Sequence, residues 1–299
     1  MKKSTQYFFV SFIIVLTILL FASCETIVDI ELPKIKPMIV VNSICTSDKP
    51  WRINLTASRN ALDNEKLQPI KNAKIEIIGD SSIGNSLIYY KNGTYKTNRL
   101  KPKTNINYQL RISADGFETV TSNCIIPKAV QIKNVAIDTI MNEYQRKELK
   151  ITISFTDTPG IENFYSLKVL RLTTYEGGIH VWPEHFTSND LLFQNDDNAL
   201  FENQNKNFGG SEAFFSDEIL NGKNYKLTVN VELFGIRDKQ NFEVVLNSLS
   251  KNYYKYLRTK RMQRETRDNP FAEPVIVYNN IKNGLGIFAG YSSSKYKIE

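Results

Sequence analysis

Leu149-Lys-Ile-Thr-Ile-Ser-Phe155 alternates apolar and polar side chains without a break. Successive side chains of a strand point to opposite faces, so Leu149, Ile151, Ile153 and Phe155 share one face and Lys150, Thr152 and Ser154 the other. The segment therefore reads as a strand with one side in a core. Upstream, strand-like runs occupy Met38–Cys45, Trp51–Thr56, Ala73–Ile78, Leu87–Tyr90, Tyr95–Thr97, Tyr108–Ile112 and Thr119–Ile126. Asn92-Gly93 separates two of them and is a hairpin turn signal. Downstream, the same reading gives strands at Phe164–Leu172, Tyr225–Phe234, Val275–Tyr278 and Gly286–Tyr291, with turns at Asp157-Thr158-Pro159-Gly160 and Asn221-Gly222-Lys223-Asn224. A helical period occurs at about 248–267, where Leu249, Tyr253, Tyr256 and Leu257 share one face and Asp268-Asn269-Pro270 ends the helix. The expected fold is mainly β, with two tandem β-sandwich-like domains. The first spans 37–128 and is closed by Pro127. The second spans 129–299 and carries one long basic helix and a long loop insertion.

The amino terminus has a different character. Met1-Lys2-Lys3 is a short positive start, Ser4 to Cys24 carries no charge, and Tyr7 to Leu20 is nearly all apolar. Ala22 and Ser23 are small and stand directly before Cys24. These are the three parts of a secretory signal. The string LFASC resembles a lipobox, in which a diacylglycerol is attached to the cysteine thiol before cleavage, although Phe21 stands where leucine is usual. Residues 1–23 are expected to be a lipoprotein signal peptide, Cys24 the lipidated residue, and 24–36 a tether. An uncleaved spanning helix is the competing reading, since about 18 apolar residues can cross a bilayer. Two or more acyl chains hold a protein stably on a membrane without such a helix.

The chain has 299 residues and a formal charge of +7. Loss of Lys2 and Lys3 with the signal leaves +5. Lys251 to Arg267 holds seven basic residues against Glu265, a charge of +6, so the rest of the mature body sums to −1. The basic character is one local patch. That segment reads in three ways: a solvated face whose tyrosine-rich side packs on a sheet, a contact for anionic lipid headgroups, or a dock for the protein's own acidic stretch. The stretch in question runs from Leu172 to Asn205. It has no Lys or Arg and carries Glu176, Glu184, Asp190, Asp196, Asp197 and Glu202, a charge of −6. It also holds His180, His185 and Trp182. Cys45 and Cys124 remain once Cys24 is lipidated. A disulfide is open to them in an oxidising compartment, and two buried thiols is the preferred reading, because a chain of this size needs no staple.

Few motifs carry chemistry. His180-Val-Trp-Pro-Glu-His185 is one residue longer than the HxxEH spacing, and Pro183 opposes a helix, so a polar loop is favoured over a zinc site. Asn195, Asp196, Asp197, Asn198 and Glu202 offer oxygens but lack the spacing and turn glycine of a calcium loop. No nucleophile elbow, phosphate loop or CxxC pair is present. No catalytic residue, metal or cofactor is expected. Tyr175, His180 and Trp182 are the candidate ligand contacts, as rings with a few polar partners suit ligand capture.

Several strings together are similar to a known family. They are ELPKIKPMIVVNSI and KNAKIEIIG, then YQLRISADGFETVTSNCIIP, FTDTPGIENFYSLKV and FSDEILNGKNYKLTV, and last NPFAEPVIVYNNIKNGLGIFAGYS. They resemble a Bacteroidota lipoprotein family called domain-of-unknown-function family 4249, over essentially the whole mature chain. The first domain also resembles the carboxypeptidase-regulatory-like sandwich through KNAKIEI, NGTYKT and ADGFETV. The family resemblance implies an outer-membrane lipoprotein, on either face of that membrane, often encoded beside a TonB-dependent transporter. It supplies no catalytic residues. Asp138-Thr139-Ile140 fits the short O-glycosylation pattern of that phylum, which makes Thr139 a candidate acceptor. The expected function is a non-enzymatic accessory or binding protein held by membrane lipid through Cys24 and serving a TonB-dependent uptake system. The alternatives are a structural or adhesin-like envelope module, and a hydrolase with an unrecognised carboxylate site. Nucleic acid is not an expected partner outside the cytoplasm.

Overall fold

Alternating runs become strands throughout the body. In the computed structural model these are β1 (Ile39–Thr46), β2 (Arg52–Ala57), β3 (Lys74–Ile78), β4 (Ile88–Lys91), β5 (Thr94–Lys96), β6 (Asn107–Ser113) and β7 (Val120–Ile125). They continue as β8 (Ile132–Met141), β9 (Lys147–Thr156), β10 (Phe164–Tyr175), β11 (Gly178–Pro183), β12 (Phe186–Ser188), β13 (Phe208–Gly210), β14 (Ala213–Ser216), β15 (Asn224–Glu232), β16 (Asn241–Leu249) and β17 (Leu285–Ile298). The long helix, α1, covers Lys251–Thr266. The structure describes residues 36–60, 66–79, 87–193, 208–233, 241–267 and 271–298, with Tyr7, Phe12 and Asn269 besides. Residues 1–36 form one unit and Pro37–Glu299 another. Cys24 and the acidic residues 195–202 lie outside the described residues. No helix among the described residues is long and apolar enough to cross a membrane.

A nine-stranded sheet, ordered β11-β10-β16-β17-β1-β2-β5-β4 with β14 also paired to β10, runs through the whole body. A three-stranded sheet, β3-β6-β7, and a five-stranded sheet, β13-β12-β15-β9-β8, complete two sandwiches. The first core gathers Trp51, Ile53, Leu55, Leu110 and Ile126; the second gathers Ile151, Ile153, Phe155, Leu167 and Val229. Trp51 meets Tyr108 edge-on, with ring centroids 4.8 Å apart, and stacks on Phe288 at 6.1 Å. Burying a side chain of Phe288's size contributes about 1.5–3 kcal/mol.

Phe288 belongs to the carboxy-terminal strand yet sits in the amino-terminal core, as does Ile281. The two sandwiches therefore share a sheet. β17 lies parallel to β1, Val41 beside Gly286 and Cys45 beside Gly290, and antiparallel to β16 on its other side. Along β17 the even-numbered Phe288 enters the first core and Tyr296 and Ile298 the second. Alternation makes this one face of the strand, so both small sheets back onto the same side of the large one. Gly286 allows the close pairing with β1: its φ is +110°, and a Cβ there would lie 2.0 Å from the Val41 carbonyl oxygen.

Several segments differ from the sequence-based expectation. The first part of the expected long loop, Leu172 to Pro183, is a hairpin. β10 runs on to Tyr175, turns at Glu176 and Gly177 (φ +50° and +76°), and returns as β11. The acidic composition concealed the period-2 pair Ile179 and Val181. β16 had no expected counterpart; eight of its nine residues are buried, so it lacks the one-sided alternation that marks a surface strand. Val275–Tyr278, expected as a strand, is extended chain laid along α1. Gln263 Nε2 donates to the Val275 carbonyl at 3.3 Å, and Tyr278 N donates to Thr259 Oγ1 at 2.8 Å. Asn92-Gly93 is the hairpin turn between β4 and β5, both residues at positive φ. Cys45 and Cys124 are both buried and free.

Candidate functional site

The odd-numbered residues of β17, Tyr291, Ser293 and Lys295, face away from both cores. Pairing extends this row across the sheet: Asn247 lies opposite Ser293 and Ser166 opposite Asn247, while Val245 lies opposite Lys295 and Lys168 opposite Val245. These residues line a recess of about 510 Å³. Its floor is a hydrogen-bond chain that runs from exposed Ser293 to buried Asn247 and Ser166. Ser293 Oγ donates to Asn247 Oδ1 at 2.6 Å, and Asn247 Nδ2 donates to Ser166 Oγ at 3.0 Å. Lys168 pairs with Glu212 and Lys295 with Glu243, each at 3.1 Å. The buried pair Asn247 and Ser166 holds one geometry, because any alternative leaves one of these polar groups unpaired.

A second recess of about 580 Å³, with Trp51, Arg52 and Lys96 in its wall, shares Lys49, Tyr253 and Tyr291 with the first. The two open side by side around the tyrosine pair, whose rings stack at 5.6 Å and 26°. Tyr253 comes from the first turn of α1. Ser250 caps that turn, its hydroxyl accepting from Tyr253 N at 3.3 Å. The cap is fastened to β17: Ser250 N donates to the Gly290 carbonyl at 2.9 Å and Gly290 N to Ser250 Oγ at 3.2 Å. Phe164, Phe214, Leu249 and Tyr254 form a small core under the helix, with Phe164 and Tyr254 stacked at 4.5 Å. The platform is thus held from both sides.

Six basic side chains line the joined recesses, Lys49, Arg52, Lys96, Lys128, Lys168 and Lys295, against the acidic Asp48 and Glu212. Burial raises the pKa of the Tyr253 phenol, and Glu212 and the neighbouring tyrosines raise it further. Burial also raises Tyr291, with Asp48 and Glu212 adding and Lys295 opposing. Both phenols stay protonated at neutral pH and can donate hydrogen bonds. A flat aromatic surface ringed by ammonium groups, hydroxyls and an amide can hold a polar ligand of net negative charge.

The residues singled out in sequence lie elsewhere. Tyr175, His180 and Trp182 come together on one face of the β10–β11 hairpin, at the open edge of the large sheet. Tyr175 and His180 have ring centroids 6.2 Å apart, and Trp182 sits across from Arg171. All three are exposed, and none lines either recess. Glu184 is engaged by Arg171 at 2.6 Å. His180 and His185 stand on extended chain, and no group of three or more metal-ligating side chains occurs among the described residues. Thr139 is exposed on β8, an edge strand, its N–H bonded to Asp138 Oδ1 at 2.8 Å.

Two buried carboxylates do meet near one side chain. Asp157 accepts from the Tyr165 hydroxyl and, at 2.7 Å, from Gly222 N; Asp217 accepts from Asn163 Nδ2 at 3.1 Å. Burial first, then Asp157, raises the Tyr165 phenol well above its usual value. These oxygens are used by the fold's own donors, and they join the two turns read at Asp157–Gly160 and Asn221–Asn224. Sequence reasoning missed the groove because Ser293, Lys295, Asn247 and Ser166 are unremarkable until strand register aligns them. Tyr253 was legible only as a helix-face residue.

No curated protein matches the chain. The motif strings now have places in the fold: DTPGIENFY and SDEILNGK form the joined turns, and NGLGIFAGY holds the part of β17 that pairs with β1. A family model described as Domain of unknown function (DUF4249) matches residues 25–297, nearly the whole chain, and the chain belongs to that family.

Proposed function

We propose that the protein is a lipid-anchored envelope protein of the outer membrane that captures a polar, net-anionic small molecule in the groove around Tyr253 and Tyr291, as an accessory to a TonB-dependent uptake system. The observation that carries the capture role is the stacked tyrosine platform shared by two recesses and ringed by six basic side chains. The anchor rests on the signal-like leader ending at Cys24. The family match beginning at residue 25, immediately after that cysteine, is in keeping with it. The transporter partnership rests on the family resemblance alone.

The open edge at β11 favours a second reading, a structural module that meets another protein through Tyr175, Ile179, Val181 and Trp182. Among these, Ile179 is 72% exposed. One experiment separates the two. Small molecules released from the protein purified from its own membranes are identified by mass spectrometry, alongside a Tyr253→Ala/Tyr291→Ala variant and a Tyr175→Ala/Trp182→Ala variant. Capture in the groove predicts an acidic compound carried by the wild type and the hairpin variant and lost from the groove variant. Equal recovery from the groove variant, or no enriched compound from the wild type, sinks the groove reading.

A further inference from the structure

We infer that the outer face of α1 and the segment that folds back along it form a contact for an anionic bilayer surface, independent of any acyl anchor. The segment after the helix carries two bulky apolar side chains in open solvent: Phe271 is 95% exposed and Ile276 is 86% exposed. They are not on a frayed end. Phe271 N donates to Asn269 Oδ1 at 3.0 Å, and Ala272 N to the Asn269 carbonyl at 3.1 Å. Val275 and Tyr278, on either side of Ile276, are bonded to Gln263 and Thr259 of α1. Tyr278 Oη donates to Asn252 Oδ1 at 2.9 Å, and the Lys255 ammonium lies 5.5 Å from the Tyr278 ring centroid. Helix and return segment are therefore one ledge, and Phe271 and Ile276 project from it beside the helix cations.

Its charge suits an anionic surface. Lys251 to Tyr278 holds seven basic residues and three acidic ones, a net +4. Of the acids, Glu265 is paired with Arg261 at 2.9 Å, and Glu273 is exposed beside Phe271. Lys255, Lys260, Arg264 and Arg267 are exposed or half-buried along the helix. Exposed apolar tips flanked by Lys and Arg match the layered chemistry of a bilayer rim, where side chains of Phe and Ile enter the acyl boundary and cations meet phosphate. A soluble anion would engage the cations but would leave Phe271 and Ile276 in water.

The test uses the mature chain from residue 24 with Cys24→Ser, so that no acyl chain contributes. Sedimentation with vesicles of phosphatidylcholine alone is compared with vesicles containing phosphatidylglycerol. Binding to the phosphatidylglycerol vesicles is expected, suppressed by high salt. Phe271→Ser/Ile276→Ser and Arg264→Glu/Arg267→Glu should each weaken it about tenfold or more. All four positions are exposed or project from the ledge, and an unchanged melting temperature confirms that each variant is folded. Equal binding to both vesicle types, no binding by the folded wild type, or retention of binding in both double variants overturns the inference. The groove variant Tyr253→Ala/Tyr291→Ala should bind vesicles like the wild type, so failure of ligand capture and failure of membrane contact are read separately.

Discussion

Tyr253, Tyr291, Tyr165, Tyr225 and Tyr95 all have phenols raised above their ordinary value, with burial the largest cause in each. Burial likewise pushes the Cys45 thiol up to about 12 and raises Cys124. The folded chain holds these protons more tightly than the unfolded chain does. Their contribution to stability is therefore complete below the unfolded values and is lost as pH rises through the folded ones. Unfolded thiols and phenols ionise at about 8.5 and about 10, so the denaturant midpoint should hold between about pH 7 and 8 and fall from about pH 9 upward. Absorbance of tyrosinate should rise together with unfolding. A midpoint unchanged up to about pH 11 would contradict this account of the tyrosines. At this scale the sequence was partly legible. Chain size favoured two buried thiols at Cys45 and Cys124 but left a disulfide open, and the structure has both free and buried; Tyr253 followed from helical spacing as a packed residue. The partners of Tyr253 did not follow, since a stack with Tyr291 depends on a strand 38 residues later in the chain lying beneath the helix.

At the scale of elements, β17 decides the architecture. It closes the first core with Phe288, borders the second with Ile298, and presents Tyr291, Ser293 and Lys295 to the groove. Its entry depends on Gly286. An alanine there would place a Cβ 2.0 Å from the Val41 carbonyl oxygen in a φ region that L residues rarely adopt. Gly286→Ala is expected to cost about 2–4 kcal/mol in denaturant unfolding, as strain at a special backbone position combines with a lost strand pairing. A cost below about 0.5 kcal/mol, the level of an ordinary surface substitution, would mean that the β1–β17 pairing is not as described. One-sided strands such as β2, β6 and β9 were legible because each has one face in a core and one toward solvent. β16 was not, since both of its faces are covered, and the β10–β11 hairpin was masked by its acidic and aromatic composition. The parallel pairing of β1 with β17 leaves no local trace, because parallel neighbours are joined through long connections instead of a turn.

Across the whole molecule, charge and apolar surface are separated into places. The ledge of α1 is basic with two exposed apolar tips, the groove is aromatic and polar, and the hairpin edge is apolar and open. Composition revealed the first of these as a local patch, and only the fold distinguished the other two. Under the proposed anchor at Cys24, residues 24–36 could reach up to about 45 Å when extended, enough slack for the basic ledge to lie on that membrane surface. The envelope role proposed for the protein depends on the chain standing at a membrane by its amino terminus. Intact-mass measurement of the protein extracted from its native envelope tests this most directly. The account predicts a chain beginning at Cys24, heavier than residues 24–299 by the mass of attached acyl groups. A chain that retains an unmodified Met1 would contradict it.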